Sequence, residues 1–111
     1  MVPAMREPAK ADAALAELRE KIDRLNRDIL KLLQRRAEVV LEIAELKRER
    51  GLARYDPRRE EEMLQALEGA AAGPFDDSEV AEVFRAIFRA SLWLQVRNRE
   101  LAACLDRRSG T

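Results

Sequence analysis

The stretch DAALAELREKIDRLNRDILKLLQRRAEVVLEIAELKRER, residues 12–50, decides the fold of this chain. It contains neither glycine nor proline, and its apolar side chains recur in steps of three and four residues. Such spacing places them in one stripe along one face of an α-helix. The stripe consists of Leu15, Leu18, Ile22, Leu25, Ile29, Leu32, Val39, Ile43 and Leu46. Gly51 supplies a stop signal, so the pattern predicts one helix over residues 12–50.

A helix of this length is too long for a chain of 111 residues to cover by itself. At 1.5 Å per residue it extends for roughly 58 Å, which exceeds what a compact domain of this size can bury. The stripe therefore predicts a partner chain that packs along it.

Two further helices follow the first. Asp56-Pro57 has the form of an N-cap before a helix-initiating proline, and predicts a short helix from Pro57 to about Ala70. Asp76, with Glu79 three residues later, forms a capping-box pattern that starts a third helix. The predicted apolar stripe of this helix consists of Val80, Phe84, Ile87, Leu94, Leu101 and Leu105.

The fold class predicted is all-α, with one very long, one short and one long helix in each chain of an intertwined homodimeric bundle. The domain is predicted over residues 11–106. Residues 1–10, with two prolines and mixed charge, are expected to be a disordered lead, and residues 107–111 a frayed tail.

Composition excludes several classes of function. The 21 Lys and Arg balance the 21 Asp and Glu, which argues against a general nucleic-acid binder. The absence of His removes imidazole catalysis and most zinc sites, and Cys104 has no partner for an internal disulfide. No targeting segment or membrane-spanning stretch is visible, so we expect a cytoplasmic protein with no membrane partner.

Two cations interrupt the apolar pattern of the long helix. Arg36 falls on the stripe between Leu32 and Val39, where an arginine needs an anion to offset its desolvation. Lys47 lies three turns later on the same face, roughly 16 Å away along the axis. A ligand pocket would explain both, but a structural ion pair or a snorkelling stem would explain Arg36, and solvation at a helix end would explain Lys47.

Neutral and charged polar residues mark the other two helices. Ser91 and Gln95 share one side of the third helix, which indicates either a polar network between helices or a site that needs neutral hydrogen-bonding groups. Asp56, Arg59 and Glu60 surround the start of the second helix. Capping accounts for Asp56 but not for the Arg59-Glu60 pair.

Five motifs in this order resemble a known family. They are LREKID at 18–23, LLQRR at 32–36, Lys47, YDPRRE at 55–60 and IFRASLWLQ at 87–95. Together they resemble the all-α (type II) chorismate mutase family, over about residues 14–98. The resemblance implies an intertwined homodimer of three-helix subunits. It also implies conversion of chorismate to prephenate by a [3,3] Claisen rearrangement in phenylalanine and tyrosine biosynthesis, without metal or cofactor.

The resemblance also implies a role for eight residues. Arg19 is donated by the other subunit, Arg36 and Lys47 contact the substrate, and Arg59 organises the site. Asp56, through its backbone, and Glu60 lie near the ring hydroxyl, and Ser91 lies at the ring carboxylate. Gln95 reaches the ether oxygen together with Lys47. Catalysis is therefore expected from Lys47, Gln95 and Arg36.

Helix geometry agrees with this assignment. Arg19 and Arg36 are 17 residues apart, hence roughly 25 Å along one helix, so they cannot hold one small metabolite within one chain. An antiparallel partner helix can bring its own Arg19 beside Arg36. A pericyclic reaction transfers no proton to the enzyme, so the missing His is no obstacle.

Other functions remain open from the residues alone. They are an isochorismate pyruvate lyase of the same fold, a non-catalytic helical module that dimerises or senses a metabolite, and a plain helical scaffold. The Arg59-Glu60 pair and Ser91 favour the mutase over the lyase.

Overall fold

The structure is a computed structural model that describes residues 3–70 and 72–109. Side chains are described at residues 9–70, 72–101, 104 and 105. The described residues form three helices and no strand: α1 over Pro3–Glu49, α2 over Pro57–Leu67 and α3 over Asp77–Ser109. The predicted all-α class, with one very long, one short and one long helix, is confirmed. Across this part of the chain, no helix has the length and apolar content needed to cross a membrane.

Helix α1 begins earlier than the apolar stripe predicts. It starts at Pro3 instead of Asp12, so residues 3–10 of the predicted lead are helical, while residues 1 and 2 lie outside the described part. Proline is favourable in the first turn of a helix, and alanine, lysine and glutamate are strong helix formers. Helix α1 extends here beyond the reach of the apolar pattern and past Pro8, which lacks the N–H that an interior helix residue donates.

The end of α1 is a hydrogen-bonded stop at Gly51, as predicted. The Leu52 N–H donates to the Lys47 carbonyl at 2.8 Å, and the Gly51 N–H donates to the Arg48 carbonyl at 3.2 Å. This pair of bonds is the Schellman motif. Gly51 has a φ of +68°, a left-handed conformation that disfavours residues with a Cβ. The carbonyl of Lys47 is one of the two acceptors of the motif.

Helix α2 starts where predicted and ends earlier. Pro57 is its first residue, and the Asp56 carboxylate accepts the Arg59 N–H at 3.1 Å. The helix ends at Leu67, three residues before the predicted Ala70. Gly69, with a φ of +77°, allows a turn in which the Ala70 N–H donates to the Leu67 carbonyl. This turn chemistry outweighs the helix propensity of the alanines that follow.

The capping box predicted at the start of α3 is confirmed. The Asp76 N–H donates to the Glu79 carboxylate at 3.0 Å, and the Glu79 N–H donates back to the Asp76 carboxylate at 2.8 Å. At its other end α3 continues to Ser109, so Arg107 and Arg108 of the predicted tail are helical. Residues 110 and 111 lie outside the described part.

The chain divides into two compact units, residues 1–36 and residues 37–111. The first unit is a single stretch of α1, in which every side chain from residue 9 to residue 35 is exposed. Its stripe residues from Leu15 to Leu32 are 44% to 61% exposed. The stripe is therefore not buried by packing within its own unit.

The second unit has a small core where α2 packs on α3. Phe88 is 5% exposed and is the one buried hydrophobic side chain among those described. The ring of Phe84 lies one turn away, with the two ring centroids 6.3 Å apart. The half-buried apolar side chains around them include Met63, Leu64, Leu67, Val80, Ile87 and Leu92.

Two predicted stripes pack differently from expectation in this second unit. On α1 the half-buried apolar side chains are those of Ala37, Val40, Leu41 and Ala44, whereas the stripe residues Val39, Ile43 and Leu46 are 46% to 52% exposed. On α3 the stripe is half-buried as far as Leu94, but Leu101 and Leu105 are 60% and 53% exposed. The α1 stripe therefore does not form the core of the single chain.

Candidate active site

Lys47 and Gln95 line one cleft of about 380 Å³ in the second unit. Lys47 comes from the last turn of α1, where a cation is favoured by the helix dipole, and Gln95 comes from the middle of α3. Both side chains are half-buried. The remaining lining residues are Ala44, Glu45, Arg48, Gly51, Leu52, Arg54, Asn98 and Arg99. The volume lies near the small end of the range for ligand pockets, roughly 300–1,000 Å³, and suits a small metabolite.

The cleft is strongly cationic. Lys47, Arg48, Arg54 and Arg99 line it, against one acidic residue, Glu45. Arg48 already pairs with Glu45 through two hydrogen bonds, of 2.6 Å from Nη2 and 3.3 Å from Nε. The hydrogen bond from Arg48 lowers the pKa of the Glu45 carboxyl, and the positive charge of Arg48 adds to this effect. The local charge therefore favours an anionic ligand.

The two amides of the cleft complement its charges. Gln95 and Asn98 lie three residues apart on α3 and face the same side of that helix. Each amide offers both N–H donors and a carbonyl acceptor, without adding charge. The cleft can therefore bind carboxylates through its cations and a neutral oxygen through its amides.

The residues predicted around the start of α2 are not among those that line this cleft. The Asp56 side chain serves as the N-cap, and Glu60 is half-buried. The Arg59 guanidinium lies 3.8 Å from the carboxylate of Glu62, one turn along the same helix, and both side chains are exposed. In the single chain, capping and a surface ion pair account for Asp56 and Arg59.

Ser91 lies on α3 one turn before Gln95 and is half-buried. Its hydroxyl donates to the carbonyl of Ile87 at 2.7 Å, a bond to the preceding turn of the same helix. Ser91 is absent from the lining of the cleft. The bond satisfies the hydroxyl locally and holds its oxygen at a defined position.

Arg19 and Arg36 belong to the first unit. The side chain of Arg19 is exposed, and that of Arg36 is half-buried, the one side chain of residues 9–36 that is not exposed. The partial burial of Arg36 does not follow from the apolar stripe, because the neighbouring stripe residues Leu32 and Val39 are 61% and 52% exposed. The roles of both arginines in binding stay predictions.

Sequence reasoning did not single out four polar residues of the cleft: Arg48, Arg54, Asn98 and Arg99. A signal for Arg99 was present, because it follows Gln95 by four residues and so falls on the same helix face. Arg54 lies in the irregular segment between α1 and α2, where no periodicity indicates direction. Only the path of this segment brings Arg54 to the cleft.

Comparison with known proteins identifies the family. Residues 18–96 match the family model described as chorismate mutase type II. The solved structure of chorismate mutase (form II) from Thermus thermophilus is 48% identical, with a TM-score of 0.73 over 75% of this chain and 94% of that chain.

Two longer curated proteins are also similar. The T-protein of Haemophilus influenzae is 40% identical over 80 residues, which are 70% of this chain and 21% of that protein. The bifunctional chorismate mutase/prephenate dehydratase of Aquifex aeolicus is 33% identical over 85 residues, 73% of this chain and 24% of that protein. The chain spans about a fifth to a quarter of the length of these two relatives. The resemblance found in the five motifs is confirmed, and the chain belongs to the chorismate mutase type II family.

Proposed function

We propose that this chain is a chorismate mutase, an isomerase that converts chorismate to prephenate by an intramolecular Claisen rearrangement. The observation that carries the proposal is the meeting of Lys47 and Gln95, from two different helices, at one small cationic cleft. Membership of the chorismate mutase type II family supports it.

The cleft supplies what this rearrangement needs. As the carbon–oxygen bond of the substrate breaks, negative charge develops on the ether oxygen. The Lys47 ammonium and an N–H of the Gln95 amide are donors that stabilise such charge when they are already in position. A neutral amide is suited to this place, since a carboxylate there would repel the developing charge.

The substrate carboxylates are assigned to arginines, whose planar guanidinium groups bind carboxylates through two parallel hydrogen bonds. Arg36 provides one such group and Arg19 of a second copy provides the other. Holding both carboxylates keeps the substrate in its compact reactive shape, which lowers the entropic part of the barrier. Arg59 organises the site, Asp56 and Glu60 lie near the ring hydroxyl, and Ser91 lies at the ring carboxylate.

The exposed apolar stripe of the first unit is the reason for proposing a second copy of the chain. The stripe residues from Leu15 to Leu32 are all exposed in the single chain. Burying one leucine or isoleucine side chain stabilises an assembly by about 1.5–3 kcal/mol, so six such residues favour association strongly. We therefore propose an intertwined homodimer in which each Arg19 serves the site of the other copy.

The test is consumption of chorismate by the purified chain and by the variants Lys47→Ala and Gln95→Ala. Loss of one preorganised donor lowers kcat by roughly 10²- to 10³-fold in comparable sites, and we expect losses of this order. Lys31→Ala and Gln65→Ala are matched controls, because both residues are exposed and neither lines the cleft. Full activity in the Lys47 and Gln95 variants would contradict the proposal.

Two further measurements separate the other functions. Isochorismate offered in a parallel assay would identify a lyase if pyruvate appears while chorismate is left unchanged. Tight binding of chorismate without turnover would identify a metabolite-sensing module. The mass of the protein in solution tests the homodimer directly, and a monomer that retains full activity would contradict donation of Arg19.

A further inference from the structure

We infer that Arg54 and Arg99 form a cationic entrance to the cleft, which attracts a dianionic substrate toward Lys47 and Gln95. The inference rests on the proposed function and deepens it. It assigns a role in substrate capture to two residues that lie outside the five motifs, without giving them a part in the bond-breaking step.

On α3, Arg99 lies nearer than Gln95 to the carboxyl end of the helix. Gln95, Asn98 and Arg99 occupy positions i, i+3 and i+4 and therefore share one face of the helix. Arg99 lies one turn, roughly 6 Å, further toward the carboxyl end. Gln95 is half-buried whereas Arg99 is exposed, so the cleft opens to solvent along this face.

Arg54 borders the cleft from the segment between α1 and α2. Its side chain is half-buried, in contrast to the exposed side chains of its neighbours from Gly51 to Ala53. The Schellman motif at Gly51 sets the direction in which this segment leaves α1. Arg54 is therefore held closer to the interior of the cleft than Arg99.

In the described part of the chain, three of the cations that line the cleft have no acidic side chain as an ion-pair partner. Among the described residues, Lys47, Arg54 and Arg99 form no ion pair, while Glu45 is already occupied by Arg48. On α2, by contrast, Arg58 and Arg59 both lie within 4 Å of Glu62. In a chain with zero formal net charge, the cleft thus concentrates positive charge that only a bound anion can offset.

The exposure of Arg99 points to capture and not to catalysis. An exposed charge is felt by an approaching ion over about 10 Å at 0.1 M salt, and it acts mainly on the association rate. It contributes little to the bond-breaking step, where the developing charge meets the half-buried donors Lys47 and Gln95. Arg54 is expected to act on the approaching substrate from its half-buried position, while Arg36 and Arg19 of the second copy hold the carboxylates of the bound substrate.

The experiment measures kcat and KM for chorismate with the variants Arg54→Gln and Arg99→Gln. We expect kcat/KM to fall about five- to tenfold in each at low salt, with kcat unchanged within about twofold. For Arg99→Gln the difference from the unmodified chain should largely disappear at 1 M salt, where the screening length is about 3 Å. Arg54→Lys and Arg99→Lys, which keep the charge, should recover most of the loss.

Arg50→Gln and Arg97→Gln are the matched controls. Both arginines are exposed, lie within four residues of the arginine tested, and do not line the cleft. Losses in these controls as large as those in the test variants would overturn the inference, because bulk charge would then explain the effect. A fall in kcat with unchanged KM, or a loss that salt does not reduce in Arg99→Gln, would overturn it as well.

Calorimetric titration with chorismate separates this inference from the proposed function. If the unmodified chain binds chorismate without converting it, the proposed function is wrong. The inference about the entrance is then tested by whether Arg54→Gln and Arg99→Gln weaken the binding of chorismate. If the chain does not bind chorismate, both fail. Helicity is checked by circular dichroism, and should Arg54→Gln lose it, Arg99→Gln at the exposed surface decides the question.

Discussion

The two units of the chain differ in how the same helix is covered. In residues 9–35 of α1 every side chain of the apolar stripe is exposed, whereas after residue 36 one face of α1 is half-buried at Val40, Leu41 and Ala44. The second unit also contains Phe88 and the cleft, while the first unit is helix alone. The comparison teaches that a stripe of constant periodicity indicates a helix. It does not indicate whether the residues that bury the stripe belong to the same chain.

The difference also separates two kinds of functional residue. Lys47 and Gln95 reach a common cleft through the packing of one chain. Arg19 and Arg36 belong to the unit without a core of its own. Under the proposed function, the first pair requires only correct folding of the second unit, and the participation of Arg19 requires association of two copies.

The largest expected effect comes from placing a charge on the exposed apolar stripe of α1. Leu25→Asp should weaken association by roughly 6 kcal/mol, because an unpaired buried charge costs about 3 kcal/mol or more and occurs twice in a symmetric dimer. Light scattering should show loss of the dimer, and chorismate conversion should fall with it. The control is Asn26→Asp, which adds the same charge at the adjacent exposed position. An unchanged dimer in Leu25→Asp would show that the stripe is not the interface.

The core of the second unit offers the converse test. Phe88→Ala should lower the free energy of unfolding by about 3 kcal/mol, since it removes the most buried side chain and leaves a cavity. Phe75→Ala is the matched control, because Phe75 is 60% exposed and its loss should change stability by less than about 0.5 kcal/mol. Urea denaturation followed by circular dichroism measures both. Equal effects in the two variants would contradict a core centred on Phe88.

The stop at the end of α1 should respond more weakly. Gly51→Ala is expected to destabilise the protein by about 1–2 kcal/mol, because alanine must adopt the left-handed conformation that glycine has here. No atom lies within 4 Å of the added Cβ, so the effect is backbone strain and not a clash. Gly73→Ala, equally open and without a left-handed φ, should not destabilise. Thermal unfolding compares the two, and a stable Gly51→Ala protein would show that this stop is dispensable.

The smallest effect is expected from the Glu45–Arg48 pair on the surface of the cleft. Because Arg48 lowers the pKa of Glu45 in the folded chain, the pair stabilises the fold above the ordinary pKa of 4.5. This contribution is lost as the pH falls through the lowered value. Glu45→Gln should therefore be slightly less stable than the unmodified protein at pH 7, with the difference shrinking as the pH falls below 4.5. Glu42→Gln, at an exposed neighbouring position, is the control, and a difference for Glu45→Gln that does not change with pH would refute the assignment.

Three of the six helix termini could be predicted because their signals are local. The N-cap at Asp56, the reciprocal bonds of Asp76 and Glu79, and the left-handed Gly51 each depend on residues within one turn. The end of α2 was missed because Gly69 competes with alanines that favour continuation of the helix. The early start of α1 was missed because backbone propensity there has no apolar pattern to mark it.

The site could be predicted only in part. Arg36 and Lys47 stand out because a charge on an apolar face is costly, and their roles follow from the resemblance of five motifs to one family. Spacing along one helix carries no information about Gln95 on another, so the meeting of Lys47 and Gln95 could not be derived from periodicity. Arg54 gave no signal, because an irregular segment has no repeating geometry.

The sequence by itself determined three helices, their caps and the family, since these depend on hydrogen bonds and side-chain order within short stretches of chain. Only the tertiary structure decided which face of α1 is covered and which cations share a cleft. The physical reason is that burial and charge compensation depend on distances between residues far apart in the chain. Helical periodicity fixes the direction of a side chain relative to its own axis, but packing decides what that side chain meets.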